Sequence, residues 1–328
     1  MYNLKTFHQG GVRWQGGDSN AVYAQNRAYQ ENTRIPLLNA ANCDNGGDGC
    51  MPNGTFIATA AEAAAGKDVK TAYDIGYVAG REASAVGVNW MFNPCADIFM
   101  NWRNTIVNTR AFGDHADEVI ANVRAYIDGL HQSNVAACCK HFPGDGVEER
   151  DQHLVLGVND LSVEEWDNTF RKVYQTMIDE GLESIMVGHI ALPEMSRKLR
   201  PGIKDEDIMP ATLAPELLTD LLREEMGFNG LVITDASHMA GIACIERLRW
   251  SCNHSSELPW YLTEVPTVGI SLNYTTHLID IPQVHCFVNA YGNTRTSIRE
   301  AIAKITGKSE FTGVASDTVF CGKWDTRL

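Results

Sequence analysis

No run of this chain holds the ~18 consecutive apolar residues that a membrane-spanning helix needs. Met1 is followed by YNLKTFHQGG, which lacks the basic start and the apolar core of a secretion signal. Positive charge is scarce as well: 27 Lys and Arg stand against 41 Asp and Glu, a formal charge of −14, with no Lys/Arg cluster to offset it. Such a chain repels phosphate backbones, so nucleic acid is not expected as a partner. The nine cysteines are odd in number, and Cys138 and Cys139 sit side by side in an apolar stretch instead of forming a CxxC pair. They read as reduced core residues, with neither a zinc site nor a disulfide framework. No GxGxxG follows the first strand-like run, which argues against a dinucleotide-binding sheet. The expectation is a cytoplasmic protein without membrane partner, organic cofactor or metal.

What is present is ample apolar material, 44% of the residues against 21% charged, enough for one large core or two smaller ones. Short apolar runs recur at 11–14, 35–41, 88–94, 135–139, 184–188 and 231–235, and helical spacing fills 69–86, 115–132, 162–181 and 215–226. Asp160 and Ser162 with Glu165 supply a helix N-cap signal, and Ala214-Pro215 opens another helix. From residue 35 onward a strand begins about every 50 residues and a helix follows, the rhythm of parallel α/β units with right-handed crossovers. Regular alternation favours a (β/α)8 TIM-type barrel.

Barrel chemistry sits at the C-terminal ends of the strands. Those ends here read Asn42-Cys43-Asp44, Asn93 to Asp97, Lys140-His141, His189 and Asp235. Ionisable or polar residues at five consecutive strand ends point to one shared site. The segment after Lys140-His141 is unusual in itself: a Pro-Gly-Asp-Gly turn, an acidic run, then Asp151 and His153. A divalent-metal set of His141, Asp145, Asp151 and His153 is the sharpest rival for these residues, but the loop lacks an HxxxH or HExxH register.

The segments IPLLNAANCDNGG, NWMFNPCADI, NTRAFGDHADEV, KHFPGDGVEERDQH, IMVGHIALP and GFNGLVITDASHMAG, in this order, resemble those of glycoside hydrolase family 3, nearest to its single-barrel β-N-acetylglucosaminidases. The resemblance implies a retaining glycosidase that removes terminal β-linked N-acetylglucosamine, with cell-wall fragments among its carbohydrate substrates. Asp235 matches the attacking carboxylate and His153 the proton donor, with Asp151 orienting the imidazole from the same face of an extended segment. Lys140, His141 and Arg110 match residues that bind sugar hydroxyls, and His189, at another strand end, is a further candidate for substrate binding. Either Asn42 or Asp44 occupies the place of the acidic sugar-binding residue. The glycines of the PGDG turn are expected to let the loop swing His153 over the sugar. Simpler roles compete: Arg110 as a surface partner of Asp114 or Asp117, His189 as a packed core residue, Asp235 as a helix N-cap.

The chain departs from the family pattern at both ends of the barrel. The first and last strands find no match, so residues 1–241 read as a partial barrel with exposed edge strands that favour self-association. Residues 242–328 read as a short C-terminal α/β segment resembling the tail of longer members, with strand character in TVGISLNY and VHCFVNA. Two further functions remain open: a β-glucosidase or phosphorylase of the same family, and an inactive sugar-binding remnant.

Overall fold

The computed structural model describes residues 9–13, 17–237, 239–243, 268–271, 286–290 and 295–312. The chain divides into two compact units, Met1–Ile242 and Ala243–Leu328.

In the first unit, strands β1 (Gly11–Arg13), β2 (Leu38–Ala41) and β3 (Trp90–Met91) run parallel in that spatial order. Strands β4 (Cys138–Phe142), β6 (Ser184–Val187) and β8 (Leu231–Thr234) form a second parallel run. Parallel bridges Trp90↔Ala136 and Cys95↔Lys140 connect the two runs into one wall. A short parallel pair, β5 (Gly157–Val158) with β7 (Ile190–Ala191), lies beyond the C-terminal end of β6. The wall is thus α/β and parallel. Of the eight strands expected, six form it among the described residues. β1 pairs there with β2 and β8 with β6, and the β8 edge is open enough to leave Leu231 45% exposed.

Strand positions differ from the apolar runs in one way that matters. The run at 135–139 was expected to end before Lys140, yet β4 extends through Phe142, so Lys140 and His141 lie inside a wholly buried strand. The β4–β6 register shifts between Cys139 and Phe142, which frees backbone there to bond elsewhere: the Lys140 carbonyl accepts from Ala96 N at 2.7 Å. Apolar spacing could not foresee a strand that continues through charged residues with buried partners.

The helices follow their sequence signals. The helix Lys70–Ala85 packs on Ala116–His131 where Gly76, Gly80 and Gly129 bring the backbones together; a Cβ on Gly76 would lie 2.0 Å from the Tyr126 carbonyl. Ser162 and Glu165 form a full capping box at the start of the 163–179 helix. Trp166, Phe170 and Tyr174 from that helix pack beneath β4 and are buried with Phe142. The Glu216–Glu225 helix, expected to be ordinary, has π-type hydrogen bonding, as in Met226 N to Leu221 O at 2.8 Å. Apolar spacing specifies which face is buried; it does not specify the ring size of the hydrogen bonds.

The second unit contains β9 (Val268–Ser271) paired in parallel with β10 (Cys286–Asn289), and a helix Arg295–Ile305. Both strand-like runs of the tail therefore contain strands. The unmatched stretch after residue 243, up to 267, lies outside the described residues.

Candidate active site

The C-terminal ends of β2, β3, β4, β6 and β8 meet in one polar cluster. Its centre is Asp44, three residues past β2. Arg110 Nε donates to Asp44 Oδ2 at 3.2 Å, Lys140 Nζ stands 3.3 Å from Oδ1, and the Asn93 amide also donates to Oδ1. Burial opposes ionisation of Asp44, but the Lys140 and Arg110 cations, with the Asn93 amide, outweigh it and hold the carboxyl well below its ordinary range. Asn42 takes no part: its Oδ1 is buried without a protein hydrogen-bond partner. The backbone of Asn42 instead packs under Gly49. Of the two positions, Asp44 is the one that meets the cations. The structure also removes the surface reading of Arg110, since Asp117 pairs with Lys172 at 2.6 Å and Asp114 with His115.

Next to this group stands a line of three residues across β3, β4 and β8. Asp97, wholly buried, accepts from His141 N at 3.1 Å, from Asp145 N at 2.8 Å and from Cys95 Sγ at 2.9 Å. The same carboxylate meets His141 Nδ1 at 2.7 Å, which turns His141 Nε2 toward Asp235 Oδ2, 3.8 Å away. Asp235 follows β8 directly. Its Oδ1 accepts from Ala236 N at 2.7 Å and leaves Oδ2 toward the cluster, so it does more than start a turn. Burial raises the Asp235 pKa, but His141, the Ala236 N–H, His189 and Lys140 together bring it below the ordinary carboxylate value. An ionised oxygen therefore faces the polar cluster at neutral pH.

Asp151 and His153 lie on the loop after β4. Asp151 Oδ1 accepts from His153 N at 2.8 Å and meets His153 Nδ1 at 2.6 Å. The bond to Asp151 raises the His153 pKa; burial works against it, and Asp235 adds to the rise. The expected pairing is present, but its basis differs from the expectation. The segment is a turn, held by the Asp151 carboxylate on the backbone two residues on, and not an extended strand.

Packing bears on two further expectations. In the PGDG turn, Gly144 (φ 121°) and Gly146 (φ 108°) are buried where added Cβ atoms would meet the Phe170 ring at 2.0 Å and the Ile98 carbonyl at 2.1 Å. They permit close approach. His189, placed among sugar-binding residues, has both ring nitrogens engaged within the protein, Nδ1 with Thr212 Oγ1 and Nε2 with the Ala236 carbonyl, each at 3.0 Å. Burial lowers its pKa, against the Ala236 carbonyl bond. It supports the Asp235 turn. The rival metal set of His141, Asp145, Asp151 and His153 is not among the convergent ligand groups of the described residues. The convergent ligand groups among the described residues are Cys95–Asp97–His141 and Asp114–His115–Glu118.

Gln152 and Arg13 escaped sequence reasoning, the latter within electrostatic range of both Asp235 and Asp44, and Asn93 and Asp97 were noted only as part of a polar strand end, with no role of their own. Asp97 and Asn93 carried a signal, being polar residues in an otherwise apolar strand end.

The model of the Glycosyl hydrolase family 3 N terminal domain matches residues 9–257. The chain belongs to glycosyl hydrolase family 3. A Cellulomonas fimi member named beta-N-acetylglucosaminidase/beta-glucosidase is 44% identical over 244 residues, 74% of this chain and 43% of that protein. A Chromobacterium violaceum beta-hexosaminidase is 31% identical over 176 residues, 53% of this chain and 46% of that one. The chain thus spans about half or less of the length of these relatives. A solved structure of the beta-glucoside phosphorylase BglX is similar, with a TM-score of 0.71 and 34% identity over 91% of this chain and 50% of that one. NagZ from Neisseria gonorrhoeae, at 23% identity and a TM-score of 0.61, shares the fold. Membership of family 3 makes the parallel wall part of a TIM-barrel-like α/β domain.

Proposed function

We propose that the chain is a retaining glycosidase that releases terminal β-linked N-acetylglucosamine from carbohydrate substrates, cell-wall fragments included. The observation that carries this reading is the presence together of an ionised Asp235 oxygen, turned to the polar cluster, and a His153 whose proton affinity is raised by Asp151. In the first step Asp235 attacks the anomeric carbon as the glycosidic C–O bond breaks, and His153 transfers its proton to the departing oxygen. In the second, water attacks the same carbon, the Asp235–sugar bond breaks, and His153 takes the proton from water. Lys140, Arg110 and Asp44 offer donors and acceptors to ring hydroxyls, with His141 between them and the nucleophile.

A second reading is favoured by the 34% identity to a beta-glucoside phosphorylase. Inorganic phosphate would replace water in the second step, and a neutral imidazole would not repel it as a carboxylate would. In either reading residues 1–241 supply the barrel portion and 242–328 a tail, the wall is an incomplete (β/α)8 barrel, the open edges of β1 and β8 favour self-association, and the chain works in the cytoplasm. The test is cleavage of an aryl N-acetyl-β-glucosaminide and of the matching glucoside by the purified chain, with and without phosphate. Asp235→Asn should abolish turnover, and His153→Ala should regain it with azide or an activated leaving group. Free sugar marks the hydrolase and sugar 1-phosphate the phosphorylase. Sugar binding without either product means an inactive remnant and sinks both readings.

A further inference from the structure

The residue between Asp151 and His153 is built into the protein. Gln152 is 1% exposed, whereas the His153 side chain beside it is 42% exposed. Its Oε1 accepts from His189 N at 2.8 Å, its Nε2 donates to Asp145 Oδ2 at 3.3 Å, and its carbonyl accepts from Gly241 N at 3.1 Å. Two glycines make room for it: a Cβ on Gly241 would lie 2.7 Å from the Gln152 carbonyl oxygen and one on Gly188 3.1 Å from Oε1. Gly188 follows β6 and Gly241 lies in the short helix Ala240–Ala243 after Asp235, so the slot is formed by separate parts of the chain.

The contacts continue to the nucleophile side. His189, whose backbone N–H holds Gln152, bonds through its ring to the Ala236 carbonyl, and Ala236 N donates to Asp235. The neck of the loop is closed separately by Asn159 Nδ2 donating to the Gly144 carbonyl at 3.0 Å. A loop closed at its neck still rocks about that neck unless its far side is also tied. Gln152 is that tie.

We propose that Gln152 is a positioning residue, a latch that seats the Asp151–His153 pair against the strand ends carrying Asp235. The proposal rests on the reading of His153 as proton donor.

The test uses the full chain and two variants, Gln152→Met, which keeps the slot filled and removes both side-chain hydrogen bonds, and Gln152→Ala. kcat/KM reports the first step and is measured on phenyl and 2,4-dinitrophenyl N-acetyl-β-glucosaminides. The phenyl leaving group needs a proton; the dinitrophenyl group does not. Proton donation contributes about 10²–10⁴-fold, and partial misplacement should cost about 10–100-fold on the phenyl substrate and less than about threefold on the dinitrophenyl one. In a His153→Ala background, Gln152→Met should add almost nothing. Equal losses on both substrates, or losses that add to those of His153→Ala, would overturn the latch. Amide exchange across 147–156 should also rise in Gln152→Met, and unchanged exchange would overturn it without any turnover. A wild type that cleaves neither substrate defeats the glycosidase reading alone, since the exchange measurement still decides whether Gln152 ties the loop.

Discussion

Asp44→Asn removes the negative charge that Lys140 and Arg110 share. The Lys140 side chain is 2% exposed and that of Arg110 24%, so water can replace little of what is lost. Hydrogen bonds to charged groups contribute about 1.5–3 kcal/mol each, and a buried ammonium left unpaired costs more. Taking the lower figure for the partly screened Arg110, the variant should lose about 3–4 kcal/mol. In a unit of this size each kcal/mol moves Tm by about 2–4 °C, so the drop should be about 6–16 °C. The pH dependence follows from the depressed pKa of Asp44. A carboxyl whose folded pKa lies below its unfolded one stabilises fully above the unfolded value, near about 3.9, and that stability disappears as pH falls through the folded value. Thermal unfolding followed by circular dichroism should show the full gap between wild type and variant at pH 7 and a narrowing gap below about pH 4. A gap under about 2 °C at pH 7, or one that does not narrow on acidification, would refute the reasoning.

Further outcomes follow from the same geometry. The pH profile of kcat/KM should be a bell whose acid limb lies below the ordinary carboxylate value, from Asp235, and whose alkaline limb lies above that of free histidine, from His153. Asp151→Asn should pull the alkaline limb down, and an unmoved limb would separate it from His153. Gly144→Ala places a Cβ into the Phe170 ring at a φ of 121° and should cost about 2–4 kcal/mol in urea unfolding, more than Gly181→Ala, where no atom lies within 4 Å. His189→Ala should lower kcat about tenfold or more with little change in KM, because its ring holds the turn after Asp235 and offers no nitrogen to the sugar. A rise in KM alone would restore it to the sugar-binding residues.

The α/β rhythm and the capping box at Ser162 were legible because they depend on neighbours within a few residues. So was the general location of the site, since parallel strands with right-handed crossovers place their C-terminal ends together whatever the loops contain. Asp97 and Gln152 were less legible. A buried carboxylate and a buried amide look in sequence like any polar loop residues, and their meaning lies in partners 44 residues away at His141 and 37 away at His189.

By itself, then, the sequence of this family 3 chain determined the strand order, the helices that cover it and the set of ionisable groups brought to one end of the wall. Local periodicity and short motifs carry that information. Only the tertiary structure decided that Asp44 and not Asn42 meets the cations, that His189 faces inward, that the PGDG glycines serve close packing, and that Gln152 ties the loop. Each depends on distances between segments remote in sequence, where burial makes one hydrogen bond favourable and leaves its neighbour without a partner.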